Sequence, residues 1–334
     1  MIKSISIERF RGIREGRLED LSPLTVLVGP NGSGKSSVLD ALLVANDDHP
    51  AEALRHVAER RVGETEPARW IFYRADQAAG AKLSSEHDGP QRRVIEIARK
   101  AGDRKVYVSV TGVDASGDSF ERSPQMMQWG PKQKADAFQP DLLPPSTPGD
   151  SAIRLVQPDR PDLEHDLPVL YTHAFEAGRS AEVVAQVSAV SGATDVRIGA
   201  PRGKGVLYLV FPDHAIPATA GGEGIHALLL LCLELAVRAG NTILLEEPEA
   251  HLHPGAIRQA AGAVWTAVRR GVQVMLSTHS LEMIDYLVAE AASDAELDLL
   301  TVIRLSVKDG ELVSSRIAGR EVAFVRATIE EDLR

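Results

Sequence analysis

Residues 24–36 read LTVLVGPNGSGKS. A mainly apolar run, Leu24 to Val28, lies between Pro23 and a glycine, the pattern of a strand buried on both faces. Gly29 to Ser36 match G-x-x-x-x-G-K-[ST], and Ser36 to Ala45 continue as a mostly apolar helix without Gly or Pro. Strand, glycine loop and helix in that order form a phosphate cradle. The glycines let backbone N–H groups converge on phosphate oxygens, and the helix N-terminus adds free donors and a favourable dipole. Gly29, Asn31, Gly32, Ser33, Gly34, Lys35, Ser36 and Ser37 are the expected nucleotide contacts. Lys35 is expected on the β- and γ-phosphates, and the Ser36 hydroxyl on Mg²⁺.

Three further segments fit the same chemistry. Thr242 to Pro254 read TILLEEPEAHLHP, a buried aliphatic strand that ends in two carboxylates. Acids at the C-terminal end of such a strand reach the metal shell beside a phosphate loop. Glu246 is expected to hold the metal and Glu247 to polarise the attacking water as general base. Leu276 to Ser280 read LSTHS, at the end of the next strand, where His279 can donate to a γ-phosphate or orient the water. Ala218 to Gly224 read ATAGGEG before a helix, a second phosphate-ready nest formed by Thr219, Gly221, Gly222 and Glu223. Two such nests close around one γ-phosphate most readily when two chains supply them.

The C-terminal third alternates helix and strand, from helix 223–238 through strand 242–245, helix 255–270, strand 272–277 and helix 281–291 to strand 299–305. That alternation predicts an α/β fold, a mainly parallel sheet flanked by helices. The middle differs. Short strands are expected at 70–73, 94–97 and 106–111, and a helix at 175–190. Nine of the 19 prolines fall between Pro124 and Pro168, the mark of an extended connection. The expected organisation is a core of residues 1–50 and 200–334 with an insertion, 51–199. The insertion holds an antiparallel β lobe (strands 68–111), the Pro-rich connector 124–168 and a small helical arm, 175–191.

Composition narrows the function classes. The 334 residues are 44% hydrophobic, which excludes a disordered chain, and 4% aromatic, so the core is aliphatic. A net charge of −10 argues against a protein that coats nucleic acid by bulk charge. One local exception runs over residues 91–105, with Arg92, Arg93, Arg99, Lys100, Arg104 and Lys105, a possible track for a DNA backbone. The single cysteine, Cys232, suits a reducing cytoplasm, and the longest apolar run, Ala227 to Leu233, is far short of the ~18 residues of a membrane span. A cytoplasmic protein without a membrane partner is expected. His251 and His253 form a His-x-His spacing that reads better as turn-shaping than as a metal site.

Taken together, RFRGI (Arg9 to Ile13), GPNGSGKS, GGEG, EEPEAHLHP and STHS, followed by SLEMIDYL, resemble the ABC-class P-loop ATPases, specifically the soluble branch that includes SMC, RecF and OLD-like members. The resemblance covers residues 1–45 and 215–290. It implies a P-loop NTPase head of ABC type that binds ATP and Mg²⁺, hydrolyses ATP, and pairs head to head as a homodimer. Each site would use Gly29–Ser36, Glu246, Glu247 and His279 of one chain, closed by Thr219–Gly224 of the other. Gln77 is the expected lid glutamine at the metal. The loop departs from the family in lacking a serine beside its glycines, so either the Thr219 hydroxyl or backbone N–H groups alone serve there. The resemblance further implies a protein effector encoded nearby, in DNA maintenance or anti-phage defence. A slow nucleotide-gated switch and a RecF-like DNA-binding repair protein are the alternatives. After His279 only 55 residues follow, so no nuclease domain of the OLD type is expected within this sequence. No sustained heptads suggest a coiled coil.

Overall fold

In chain order the protein forms β1 (Ile2–Phe10), β2 (Ile13–Leu18), β3 (Leu24–Val28), α1 (Lys35–Asn46), α2 (Pro50–Glu59), β4 (Ala81–His87), β5 (Arg92–Arg99), β6 (Lys105–Val113), β7 (Ser119–Gln128) and β8 (Ile153–Val156). There follow α3 (Leu167–Glu176), α4 (Ser180–Ser191), β9 (Asp195–Gly199), β10 (Val206–Val210), β11 (Ala215–Pro217), α5 (Glu223–Val237), β12 (Thr242–Glu246), α6 (Pro254–Arg269), β13 (Gln273–Ser277), α7 (Leu281–Ala289), α8 (Asp294–Leu297), β14 (Leu300–Lys308), β15 (Glu311–Ala318) and α9 (Gly319–Ile329). This computed structural model describes residues 1–59, 67–99, 105–128, 153–157, 167–203, 205–238, 240–329 and 332–333.

Twelve of the described strands share one mixed sheet, ordered β7-β6-β5-β4-β1-β2-β15-β14-β3-β13-β12-β8. Its parallel half, β14-β3-β13-β12-β8, contains the continuous apolar runs. Every residue of β3, β12 and β13 is buried, because helices cover both faces. The antiparallel half is the β lobe, continuous with the core through the β1–β4 pairing. A separate antiparallel sheet orders β11-β10-β9.

Side-chain alternation sorts the sheet into two cores. Leu27, Leu244 and Met275 join the core under α1. Val26, Ile243, Leu245, Val274 and Leu276 join the core under α3–α7. α1 and α5 are apolar nearly all round and each is buried over most of its length. In the second core, Trp265 of α6 is fully buried and donates its indole N–H to Leu287 O of α7 at 2.7 Å.

The structure corrects several expectations from sequence. Trp70 to Tyr73 is not a strand: two 3-10 turns, Pro67–Ile71 and Tyr73–Ala75, flank one bridge between Phe10 and Phe72. Arg74 and Ala75 take φ of 51° and 60°, which breaks any extension. The strands of the lobe therefore begin at Ala81, not at 68, and run on to Gln128. The helical arm is two helices, separated at Gly178 (φ 70°), where a left-handed glycine ends α3. The Pro-rich connector contributes β8, whose Ile153 to Val156 pair with Thr242 to Leu245 of β12. Residues 129–152 and 158–166 of that connector lie outside the described residues, as do Lys100 and Arg104 of the basic cluster. Arg93, also in that cluster, is turned inward. It is 7% exposed and donates to Asn46 O at 2.8 Å and Asp47 O at 2.6 Å, capping the C-terminus of α1.

Candidate functional site

The ends of four adjacent parallel strands form the site. Period-two alternation carries the face set by Leu27, Leu244, Met275 and Leu155 forward to Gly29, Glu246, Ser277 and Gln157. All four lie on the α1 face, where the glycine loop turns into α1.

Gly29 has φ 139°, and a Cβ there would meet Leu305 O at 2.4 Å and Ser33 Oγ at 2.8 Å, so only glycine fits. Gly32 (φ 78°) and Gly34 (φ 95°) supply the other left-handed turns of the loop. Asn31 and Gly32 are exposed at the crest, while Ser36 and Ser37 are half-buried in the first turn of α1. Lys35 is 6% exposed and donates from Nζ to Gly29 O at 2.8 Å and Pro30 O at 3.2 Å. Burial pulls its ammonium below the ordinary lysine value, against the attraction of Glu247, Glu246 and Glu249. One turn further along α1, the wholly buried Asp40 pairs with Arg11 of the RFRGI segment.

Glu246, 8% exposed, ends β12 and accepts a hydrogen bond from Nε2 of Gln157, the residue after β8. Glu247 turns away into a left-handed conformation, φ 48°, fixed by its N–H donating to Ser277 O at 3.0 Å. Its half-exposed carboxylate lies 3.6 Å from Nε2 of His279. Thr278 and His279 form the next turn, and Glu249 reaches across to both. Its Oε1 accepts from Thr278 Oγ1 at 2.6 Å and from His279 N at 3.1 Å. Burial raises the Glu249 carboxyl above the usual range, and the nearby Glu247 adds to the rise. His253 caps α6 from Nδ1, as its reading as a turn residue requires.

The expected residues thus sort into two groups. Lys35, Glu246, Glu247 and His279 gather with the glycine loop at one end of the sheet. Thr219, Gly222 and Glu223 are exposed, Glu223 at 89%, with the half-buried Gly221 between them. They lie beside the turn after β12, where Oε2 of Glu223 is 3.7 Å from Nδ1 of His251. The Gly224 Cβ position is 2.9 Å from His251 O. Gln77 lies elsewhere, half-buried in the turn before β4, and the described contacts give it no bond to Glu246. The glutamine that reaches Glu246 is Gln157, which sequence reading missed.

A family described as AAA ATPase domain matches residues 1–97 and 174–284. The chain belongs to this AAA ATPase domain family. The SMC- and OLD-like character read from the motifs has the same support. An OLD nuclease from Thermus scotoductus is 24% identical over 326 residues, covering 84% of this chain. A DNA double-strand break repair Rad50 ATPase from Methanopyrus kandleri is 30% identical over 128 residues, covering 34% of this chain. The chain spans 59% of that nuclease's length and 14% of that Rad50's. An Smc head, solved bound to the C-winged helix domain of ScpA, superposes with TM-score 0.56 at 16% identity, covering 95% of this chain and 98% of its own. That likeness establishes an SMC head-like fold: a large mixed sheet flanked by helices, with a small antiparallel sheet apart from it.

Among the described residues no three His, Cys, Asp or Glu side chains converge as a metal centre. None of the described helices is long and apolar enough to cross a membrane. Cys232, wholly buried, has its thiol pushed up to about 12 and is a core residue.

Proposed function

We propose that the protein binds and hydrolyses ATP at the four strand ends. The observation that carries this reading is the convergence of a glycine-walled loop, a buried lysine, a buried carboxylate with its glutamine, and an exposed glutamate beside a histidine. Residues Gly29 to Ser37 wrap the phosphates through backbone N–H groups, and Lys35 places its charge on the β- and γ-oxygens.

The residues fit a magnesium ion. One buried carboxylate plus hydroxyls suits a cation that keeps several waters and takes the rest of its shell from phosphate. The Ser277 and Ser33 hydroxyls, both buried and without a hydrogen-bond partner among the described residues, add unsatisfied polar atoms at this end of the sheet. Ser36, Glu246 and Gln157 would hold the ion, which supplies charge neutralisation across the β- and γ-oxygens.

The chain's own groups then act on water. Glu247 accepts its proton, and His279 orients it or donates to the γ-phosphate. Thr219, Gly222 and Glu223 are too exposed to serve as a wall for their own chain's nucleotide, which favours their use, with Gly221 between them, against a second copy. The proposed working form is a homodimer, head to head, with ATP between the heads. A protein effector would be driven or gated by that closure. The inward turn of Arg93 weakens the DNA reading of the basic cluster.

Phosphate release tests the proposal. Wild type turns over ATP with Mg²⁺, Lys35→Ala loses nucleotide binding, and Glu247→Gln binds without turnover. Equal release by wild type and Glu247→Gln overturns the assignment of the base.

A further inference from the structure

We propose that Glu249 is a positioning residue: its carboxylate, reaching from the turn after β12, fixes the turn after β13 and so sets His279 against Glu247. The inference rests on the reading of Glu247 and His279 as the groups that act on water.

Two turns are laced together in both directions. The Glu247 N–H donates to Ser277 O, so the β13 end shapes the β12 turn. In return Glu249 Oε1 takes both Thr278 Oγ1 and the His279 N–H, so the β12 turn shapes the β13 end. Thr278 is wholly buried, and its hydroxyl donates to Glu249 and accepts from Ser280 N at 2.9 Å. Ser280 in turn caps α7, accepting from Met283 N at 3.1 Å. The Thr278 N–H donates to Leu27 O at 3.1 Å, which ties the same turn to the strand before the glycine loop. His279 is therefore held at its backbone by one carboxylate oxygen. Its ring contact with Glu247, 3.6 Å, is a consequence of that backbone placement.

Removal of the carboxylate leaves a buried hydroxyl and a backbone N–H without an acceptor. The turn then relaxes, and a displacement of about 1 Å at a reacting group costs roughly a hundredfold in rate. An amide at 249 keeps the oxygen that both donors use, since Oε2 has no partner among the described residues. Glu249 thereby differs from Glu247, where the charge itself is needed.

The test compares Glu249→Ala, Glu249→Gln, His279→Ala, Glu247→Gln and the double variant Glu249→Ala/His279→Ala, with kcat and KM for ATP measured separately. Glu249→Ala is expected to lower kcat roughly ten- to a hundredfold with KM little changed. Glu249→Gln recovers most of the loss, and Glu249→Ala adds nothing once His279 is gone. In the nucleotide-free protein, the His279 ring NMR signals move in Glu249→Ala and stay in place in Glu249→Gln. Thr278→Val, which removes the hydroxyl that donates to Glu249 and accepts from Ser280 N but keeps the carboxylate and its bond from His279 N, moves kcat and the His279 signals in the same direction by less, and decides the matter if Glu249→Ala does not fold.

Wild-type kcat in Glu249→Ala, or an equal loss from it in the His279→Ala background, overturns the proposal. Full turnover in both Glu247→Gln and His279→Ala overturns instead the hydrolysis reading on which it stands.

Discussion

Gln157 donates its side-chain N–H to Oε2 of Glu246, across the ends of two neighbouring parallel strands. Glu246 is nearly buried, so its orientation is set by this bond more than by solvent. A partner that orients a ligating carboxylate is typically worth ten- to a hundredfold in metal affinity. Gln157→Ala is expected to raise the Mg²⁺ concentration needed for half-maximal phosphate release by roughly tenfold. Gln77→Ala changes it little. A magnesium titration of both variants checks this, and the reverse ranking would return the role to Gln77.

The contrast between these two glutamines shows where the sequence is legible. Glu246, Glu247 and His279 each follow a buried aliphatic run, and Lys35 follows a glycine spacing, so periodicity and motif together locate them. β8 has only four residues, Arg154 in its interior and prolines on both sides. Its place comes from pairing with Thr242 to Leu245, a contact nearly ninety residues away in sequence that no local pattern encodes. Arg93 is a second instance. Its charge reads as a surface feature until the α1 C-terminus, folded against β5, takes its guanidinium.

His87 makes folding pH-dependent. Its Nε2 lies 2.9 Å from Oδ1 of Asn46, an oxygen that can only accept, so the ring donates there. Burial first, then the chain's N-terminal ammonium and Arg93, lower its pKa from 6.5 to about 4. Between these values the unfolded chain binds more protons, so stability falls as pH drops from 6.5 toward 4. Urea midpoints at several pH values check this. His87→Gln should flatten the slope over that window, and an unchanged slope would place the titration elsewhere.

Glycines of the Gly29–Gly34 loop separate by what surrounds them. Gly29→Ala forces a Cβ to within 2.4 Å of Leu305 O at φ 139°, whereas the Cβ position of Gly32 meets nothing within 4 Å. Gly29→Ala is expected to destabilise by about 3 kcal/mol and Gly32→Ala by about 1–2, the cost of a left-handed alanine. Thermal melts of the nucleotide-free protein distinguish them. Equal losses would mean that strain alone, and not the backbone of β14, sets the requirement at Gly29.

Gly222 offers the sharpest test of the proposed pairing of heads. It caps α5 at φ 90° and ψ 156°, lies exposed, and has open space where a Cβ would project. A side chain there meets no atom of its own chain within 4 Å but costs about 1–3 kcal/mol of backbone strain, while a carboxylate would face the phosphates of a partner's nucleotide in the proposed dimer. Gly222→Asp is therefore expected to leave one-to-one ATP binding intact and to abolish dimers in the Glu247→Gln background, as read by mass in solution. Thr219→Ala then decides between hydroxyl and backbone contact: retained pairing assigns the trans contact to N–H groups, and lost pairing assigns it to the Thr219 oxygen. Dimers that persist in Gly222→Asp would remove this loop from the interface altogether, because like charges in contact across a closed site cannot be accommodated without separation.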